Sequence, residues 1–131
     1  MGSVDPNAAA TIANAKAAGI KYVDGYIFPC YSCGDGAGQI SDTINNLEAN
    51  GIATAANATE GTNSLAIGML WLDIERYEWS TNYSANAAFV TAMVDECHSL
   101  SLSCGIYGGK NSWIAIFGSA SAYTYPATPR R

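Results

Sequence analysis

The sequence predicts an α/β protein built on a parallel sheet, and three observations carry that reading. Stretches rich in β-branched and aromatic residues alternate with stretches of helical spacing. The run from Ile67 to Leu72 is continuously apolar, as strands covered on both faces are. Glycine, proline and capping residues fall at the joints between these segments. At 131 residues and 13.7 kDa, the chain suits one domain, residues 1–131, large enough to bury well over half of its unfolded surface.

Taken in order, Asp5 reads as an N-cap and Pro6 as the first helical residue of an alanine-rich helix that Gly19 stops. "IKYVDGYIFP" follows, rich in β-branched and aromatic residues and bounded by Pro29, and reads as a strand. A Gly-rich loop, "CYSCGDGAG", leads to a helix from Ser41 to Asn50 closed by Gly51. Residues 53 to 65 show no period and read mostly as loop, and residues 66 to 75 as a strand. Ser84 then caps a helix in which Phe89, Val90, Met93, Val94 and Cys97 recur at helical spacing, with Asp95, Glu96 and His98 on the other face, His98 as a solvated surface residue. "SCGIYGG" is a short strand and "NSWIAIFGSA" a helix or helical turn.

Composition narrows the function. A net charge of −5, with six Lys and Arg and no basic stripe, argues against nucleic acid as a partner and against steering of anionic substrates. No apolar run approaches the roughly 20 residues of a membrane span, so no membrane role is expected. The four cysteines form two close pairs far apart in sequence, and the one His adjoins Cys97, which does not resemble a four-ligand zinc site. Two local disulfides are favoured, Cys30 with Cys33 and Cys97 with Cys104. The Cys-x-x-Cys spacing also matches a redox motif, but it follows Pro29 and no helix is read directly behind it, so a structural bridge is preferred. Sequons at Asn57 and Asn82 fit the same oxidising route. "MGSVDPN" has no apolar stretch, so no signal peptide is expected within this chain.

The stretch "IGMLWLDIERYEW" asks why an apolar strand ends in Asp73 and Glu75. Sites in parallel sheets form at the carboxyl ends of strands. Residues i and i+2 project to one side, about 6 to 7 Å apart, with Ile74 turned away. Two acids in a partly apolar mouth push each other's pKa apart, leaving one to donate a proton and one ionised, as glycosidic cleavage requires. A divalent metal would use the same residue types, but two carboxylates without a nearby His are a weaker set. The plainer alternative is that Asp73 caps a turn and Glu75 pairs with Arg76 or Lys110.

"MLWLDIERYEW", preceded by "VDPNAAATIANAKAAGIKYVDGYIFPC" and followed by "CGIYGGKNSWIAIFGS", resembles the lysozymes of glycoside hydrolase family 25, in particular their cysteine-containing eukaryotic branch. The resemblance covers most of residues 4 to 118, with residues 53 to 65 as an insertion. It implies an irregular, parallel-stranded (β/α) barrel that hydrolyses the β-1,4 bond between N-acetylmuramic acid and N-acetylglucosamine in bacterial peptidoglycan, without a metal or other cofactor. It also implies secretion, or a lysosomal or phagosomal location, for the parent protein. By this resemblance Glu75 is the general acid, and Asp73 positions or polarises the substrate's 2-acetamido group or supports the charged intermediate. The reaction is retaining, with that acetamido group as candidate nucleophile.

Departures accompany the match. Family members carry a further active-site Asp on a strand upstream of the matched region, and continue beyond the segment aligned with "YTYPATPRR" into further barrel strands. The resemblance therefore implies an incomplete barrel with about four of the eight strands. Such an open sheet exposes edges and apolar faces, which predicts self-association. Three functions stay open: a muramidase acting through Glu75 and Asp73, a non-catalytic sugar-binding fragment, and a remnant without independent function.

Further candidates are Asp24, as a binding residue facing the barrel interior or as a hydrogen-bonded edge acid, and the aromatics Tyr26, Phe28, Trp71, Tyr77, Trp79 and Tyr107, whose faces suit pyranose rings or the core. Tyr77 and Tyr107, near strand ends, are preferred over Trp71.

Overall fold

The computed structural model describes residues 3–54 and 65–122. The Asn57 sequon, most of the stretch read as loop and the "YTYPATPRR" segment lie outside the described residues. The elements alternate: α1 (Ala8–Ala17), β1 (Gly25–Ile27), a 3₁₀ turn (Tyr31–Cys33), α2 (Gly36–Ala49), β2 (Leu70–Asp73), α3 (Tyr83–Ser99), β3 (Cys104–Tyr107) and α4 (Lys110–Phe117). The three strands form one parallel sheet in the order β1-β2-β3, an open and incomplete α/β architecture. Gly25, Tyr26 and Ile27 pair with Leu70, Trp71 and Leu72, and Leu70 to Asp73 pair with Cys104 to Tyr107. A trace of a fourth strand survives as one parallel bridge between Ala53 and Ala66, so the described residues hold three strands where the resemblance implies about four. No helix among the described residues is long and apolar enough to cross a membrane.

Several boundaries differ from the sequence reading. Helix α1 starts at Ala8: Asp5 instead makes an Asx turn, its Oδ1 accepting the Asn7 N–H at 2.8 Å. Gly19, at φ +86°, does end it. Helix α2 begins at Gly36, five residues before Ser41, with the Asp35 carboxylate capping the Gly38 N–H at 2.9 Å. Glycine suits this place because a Cβ on Gly36 would sit 2.7 Å from the Phe89 carbonyl oxygen, so α2 and α3 approach closely here. The helix therefore stands three residues behind Cys33, closer than the sequence reading allowed. Asn82 rather than Ser84 caps α3, accepting the Ala85 N–H at 3.1 Å. Glu96, on the other face of α3, is half-buried and receives the Ser41 hydroxyl.

Burial explains the layering. Ile40, Ile44 and Leu47 of α2, spaced by one turn each, and Val90, Met93, Val94 and Cys97 of α3 are buried. Most of them pack with Leu70, Leu72, Ile74, Ile116 and Phe117 into the main core on one face of the sheet. A second cluster, Ile12, Leu47, Ile52 and Ile67, docks α1. Strand β2 alternates between buried and half-buried residues, so helices cover one face and not both. Both cysteine pairs form disulfides: Cys30–Cys33 closes the turn after β1, and Cys97–Cys104 ties the end of α3 to the start of β3.

One buried polar residue organises the loop after β2. The Asn86 side chain, fully buried, donates to the carbonyls of Ser80 and Ile116, both at 2.8 Å, and accepts the Ser80 N–H at 3.2 Å. It thereby joins this loop, α3 and α4. Replacing it with alanine leaves those main-chain groups unpaired in a buried site, so Asn86→Ala is expected to cost about 2–3 kcal/mol in urea unfolding. A loss under about 0.5 kcal/mol would contradict this account.

Candidate active site

Strand β2 carries its side chains alternately to two sides. Leu70, Leu72 and Ile74 enter the core. Trp71 and Asp73 face the other way, on the side of Tyr26 from β1 and Tyr107 from β3, their register partners. Pairing with β3 continues just beyond Asp73, because the Ile74 N–H donates to the Tyr107 carbonyl at 2.7 Å. Glu75 follows, half-buried, two residues past Asp73.

Tyr26, Trp71, Asp73 and Tyr107 line an open, largely apolar hollow of ≈ 330 Å³ on this face. The Trp71 indole lies against Gly105, where a Cβ would come within 2.6 Å of the ring, so β3 needs glycine there to admit the indole. Its N–H donates to Asp24 Oδ2 at 3.0 Å, which holds the ring in the lining of the hollow. Tyr26 and Tyr107, 69 % and 58 % exposed, line it from the flanking strands.

Asp73 is the electrostatic anomaly. Its Oδ1 is buried and has no hydrogen-bond partner, so it does not cap a turn through that atom. Burial, with the negative charge of Glu75 adding to it, raises the Asp73 carboxyl above the ordinary aspartate range. An acceptor oxygen without a donor, on the wall of a hollow, is a group prepared for a ligand N–H or O–H.

The structure thus brings together Asp73, Tyr26, Tyr107 and, through its bond to Trp71, Asp24. Trp71, ranked below Tyr77 from sequence, lines the hollow, whereas Tyr77 lies outside that lining with its ring edge-on to Phe28 at 6.0 Å. Asp24 is exposed just ahead of β1 rather than in mid-strand. Trp79 packs among Tyr31, Phe89 and Phe117 and does not line the hollow. Sequence reasoning missed a second hollow of ≈ 310 Å³ beyond β3, lined by Gly108, Gly109, Lys110, Trp113 and Ala120. The paired glycines were its signal: a Cβ on Gly108 would come within 2.6 Å of the Ile74 carbonyl oxygen, so this loop crosses tightly beside the acid-bearing tip.

Comparison with known proteins gives these features a setting. The family described as lysozyme-like protein 1 matches residues 1–128. A probable GH family 25 lysozyme 4 of Dictyostelium discoideum is 38 % identical over 117 residues, 89 % of this chain and 49 % of that protein. The same organism's probable GH family 25 lysozyme 2 is 37 % identical over 90 % of this chain and 50 % of its own length. Lysozyme-like protein 5 of Caenorhabditis elegans is 37 % identical over 89 % of this chain and 49 % of its own length. The chain spans about half the length of these curated relatives. No solved structure matches it.

Both causes acting on Asp73 oppose its ionised form, so the folded protein binds this proton more tightly than the unfolded chain. Stability at this position is therefore lost as pH rises from the ordinary carboxylate range through the raised value. Asp73→Asn, which cannot ionise, is expected to gain in melting temperature over the unsubstituted protein progressively across the interval that opens at the ordinary aspartate value of about 4 and runs upward through the raised one. A difference that stays constant or reverses across that interval would contradict the burial of this charge.

Proposed function

The chain belongs to the lysozyme-like protein 1 family, whose relatives include GH family 25 lysozymes, and from that premise we propose that it acts in hydrolysis of the β-1,4 bond between N-acetylmuramic acid and N-acetylglucosamine in bacterial peptidoglycan. The observation that carries this reading is the buried, unbonded Asp73 oxygen beside Glu75 at an aromatic hollow. A secreted, lysosomal or phagosomal setting and an antibacterial role are part of the same proposal.

In this mechanism Tyr26, Trp71 and Tyr107 offer apolar faces to the pyranose rings. Asp73 Oδ1 accepts the N–H of the substrate's 2-acetamido group, which relieves the cost of its burial and turns the acetamido carbonyl toward the anomeric carbon. Glu75 gives its proton to the glycosidic oxygen as the bond to that carbon breaks. The acetamido oxygen closes on the same carbon, forming a cyclic intermediate whose N–H stays on Asp73 Oδ1. Water then attacks the anomeric carbon, loses a proton to the Glu75 carboxylate and reopens the ring, so the configuration is retained. Two inversions at one carbon account for that outcome.

A second reading, glycan binding without turnover, is favoured by the exposure of Tyr26 and Tyr107 on a sheet face that no described helix covers. Release of reducing sugar from purified peptidoglycan separates the two. The hydrolase reading expects release that Glu75→Gln lowers by about 100-fold or more. Equal release by both proteins would overturn the role of Glu75, and binding without release would replace hydrolysis by the second reading.

A further inference from the structure

We propose that Trp79 is a positioning residue for Glu75, holding the acid's main chain by a hydrogen bond to its carbonyl; this rests on the reading of Glu75 as the acid. Trp79 lies in the loop between β2 and α3, four residues past Glu75. Its indole N–H donates to the Glu75 carbonyl oxygen at 2.7 Å. The ring that carries this donor is fixed by three others: Tyr31 at 5.4 Å, Phe89 at 5.9 Å and nearly perpendicular, and Phe117 at 6.4 Å. These come from the disulfide-closed turn, α3 and α4 respectively. The indole therefore cannot swing its N–H away from Glu75 without unpacking three separate elements.

Glu75 is held equally on its other side. Ile74 is fully buried, and its N–H donates to the Tyr107 carbonyl. With the residue before it anchored to β3 and its own carbonyl anchored to Trp79, Glu75 keeps freedom only in its side-chain torsions. A general acid must sit within hydrogen-bond reach of the oxygen it protonates, and a misplacement of about 1 Å costs about 100-fold.

The turn that returns Trp79 beneath Glu75 is itself supported. Glu78 has φ +50°, a left-handed conformation uncommon for a residue other than glycine, asparagine or aspartate. Its Oε2 accepts the Ser32 hydroxyl at 2.9 Å. Phe28 meets Tyr77, Ser32 meets Glu78 and Tyr31 meets Trp79, so the segment around the Cys30–Cys33 bridge holds three successive residues of the acid-bearing loop.

Trp79→Phe keeps a ring in the cluster and removes the donor. Replacement of Trp79 by β-(3-benzothienyl)alanine, which keeps the bicyclic shape without an N–H, serves should the phenylalanine variant fail to fold. In the full chain, amide hydrogen exchange across residues 74–79 is expected to quicken about tenfold while α2 and α3 are unchanged. On peptidoglycan kcat is expected to fall about tenfold with KM within about twofold. On a dinitrophenyl β-glycoside of the N-acetylglucosamine–N-acetylmuramic acid disaccharide, whose leaving group needs no proton, the loss in kcat/KM, which does not include the later step in which Glu75 takes the water's proton, is expected to stay under about twofold. Equal losses on both substrates, or unchanged exchange across the loop, would overturn the proposal. Should the unsubstituted chain turn over neither substrate, the hydrolase reading fails, and the exchange measurement alone decides whether Trp79 holds the loop.

Discussion

Leu70 and Leu72 of β2, and Ile74 just past its end, descend into the helical layer and are almost wholly removed from solvent. Burying each contributes about 1.5–3 kcal/mol. A slip of β2 by one residue would expose all three and drive Asp73 toward the helices, so the register is held by several kcal/mol. That constraint sets the opposite face as well: with alternate residues committed to the core, Trp71 and Asp73 must stand on the other side. β2 lies between β1 and β3, and its neighbours bring Tyr26 and Tyr107 to the same side. The hollow is a consequence of packing on the face that it does not touch.

From this arrangement the chemistry follows in steps. Asp73 lies where apolar neighbours exclude water from one of its oxygens, and Glu75 stands close enough to add its charge. Neither effect is compensated by a hydrogen bond to that oxygen, so the site carries an energetic cost of the kind natural structures keep at functional positions. On the far side of the acid-bearing loop, Trp79, Asn86 and the disulfide-closed turn couple that loop to α3 and α4. One helical layer thus supports the sheet from beneath and the loop from behind.

Much of this was legible in the sequence. The alternation of elements, the local pairing of the cysteines and the acids after an apolar strand all follow from residue type and spacing. What was not legible has physical causes. The Gly-rich run after Cys33 reads as loop by propensity, but glycine serves there to bring α2 against the Phe89 carbonyl, and tertiary contact overrides the local preference. The continuous apolar run in β2 suggested cover on both faces, yet Trp71 has an apolar body suited to a ligand surface as much as to a core. Tyr77 and Trp79 are near neighbours of the acids in sequence, and no local pattern reveals that one turns toward Phe28 and the other beneath Glu75.

On the proposed function, the sheet face opposite the helices is the face that meets glycan. The first test is a nuclear magnetic resonance titration of the chain with the N-acetylglucosamine–N-acetylmuramic acid disaccharide. Shifts of the Trp71 indole N–H and of the Tyr26, Asp73 and Tyr107 amides are expected, with Ile40, Val90 and Trp113 unmoved. Shifts confined to the helical layer or to the hollow at Gly108 to Trp113, with the Trp71 indole silent, would contradict it.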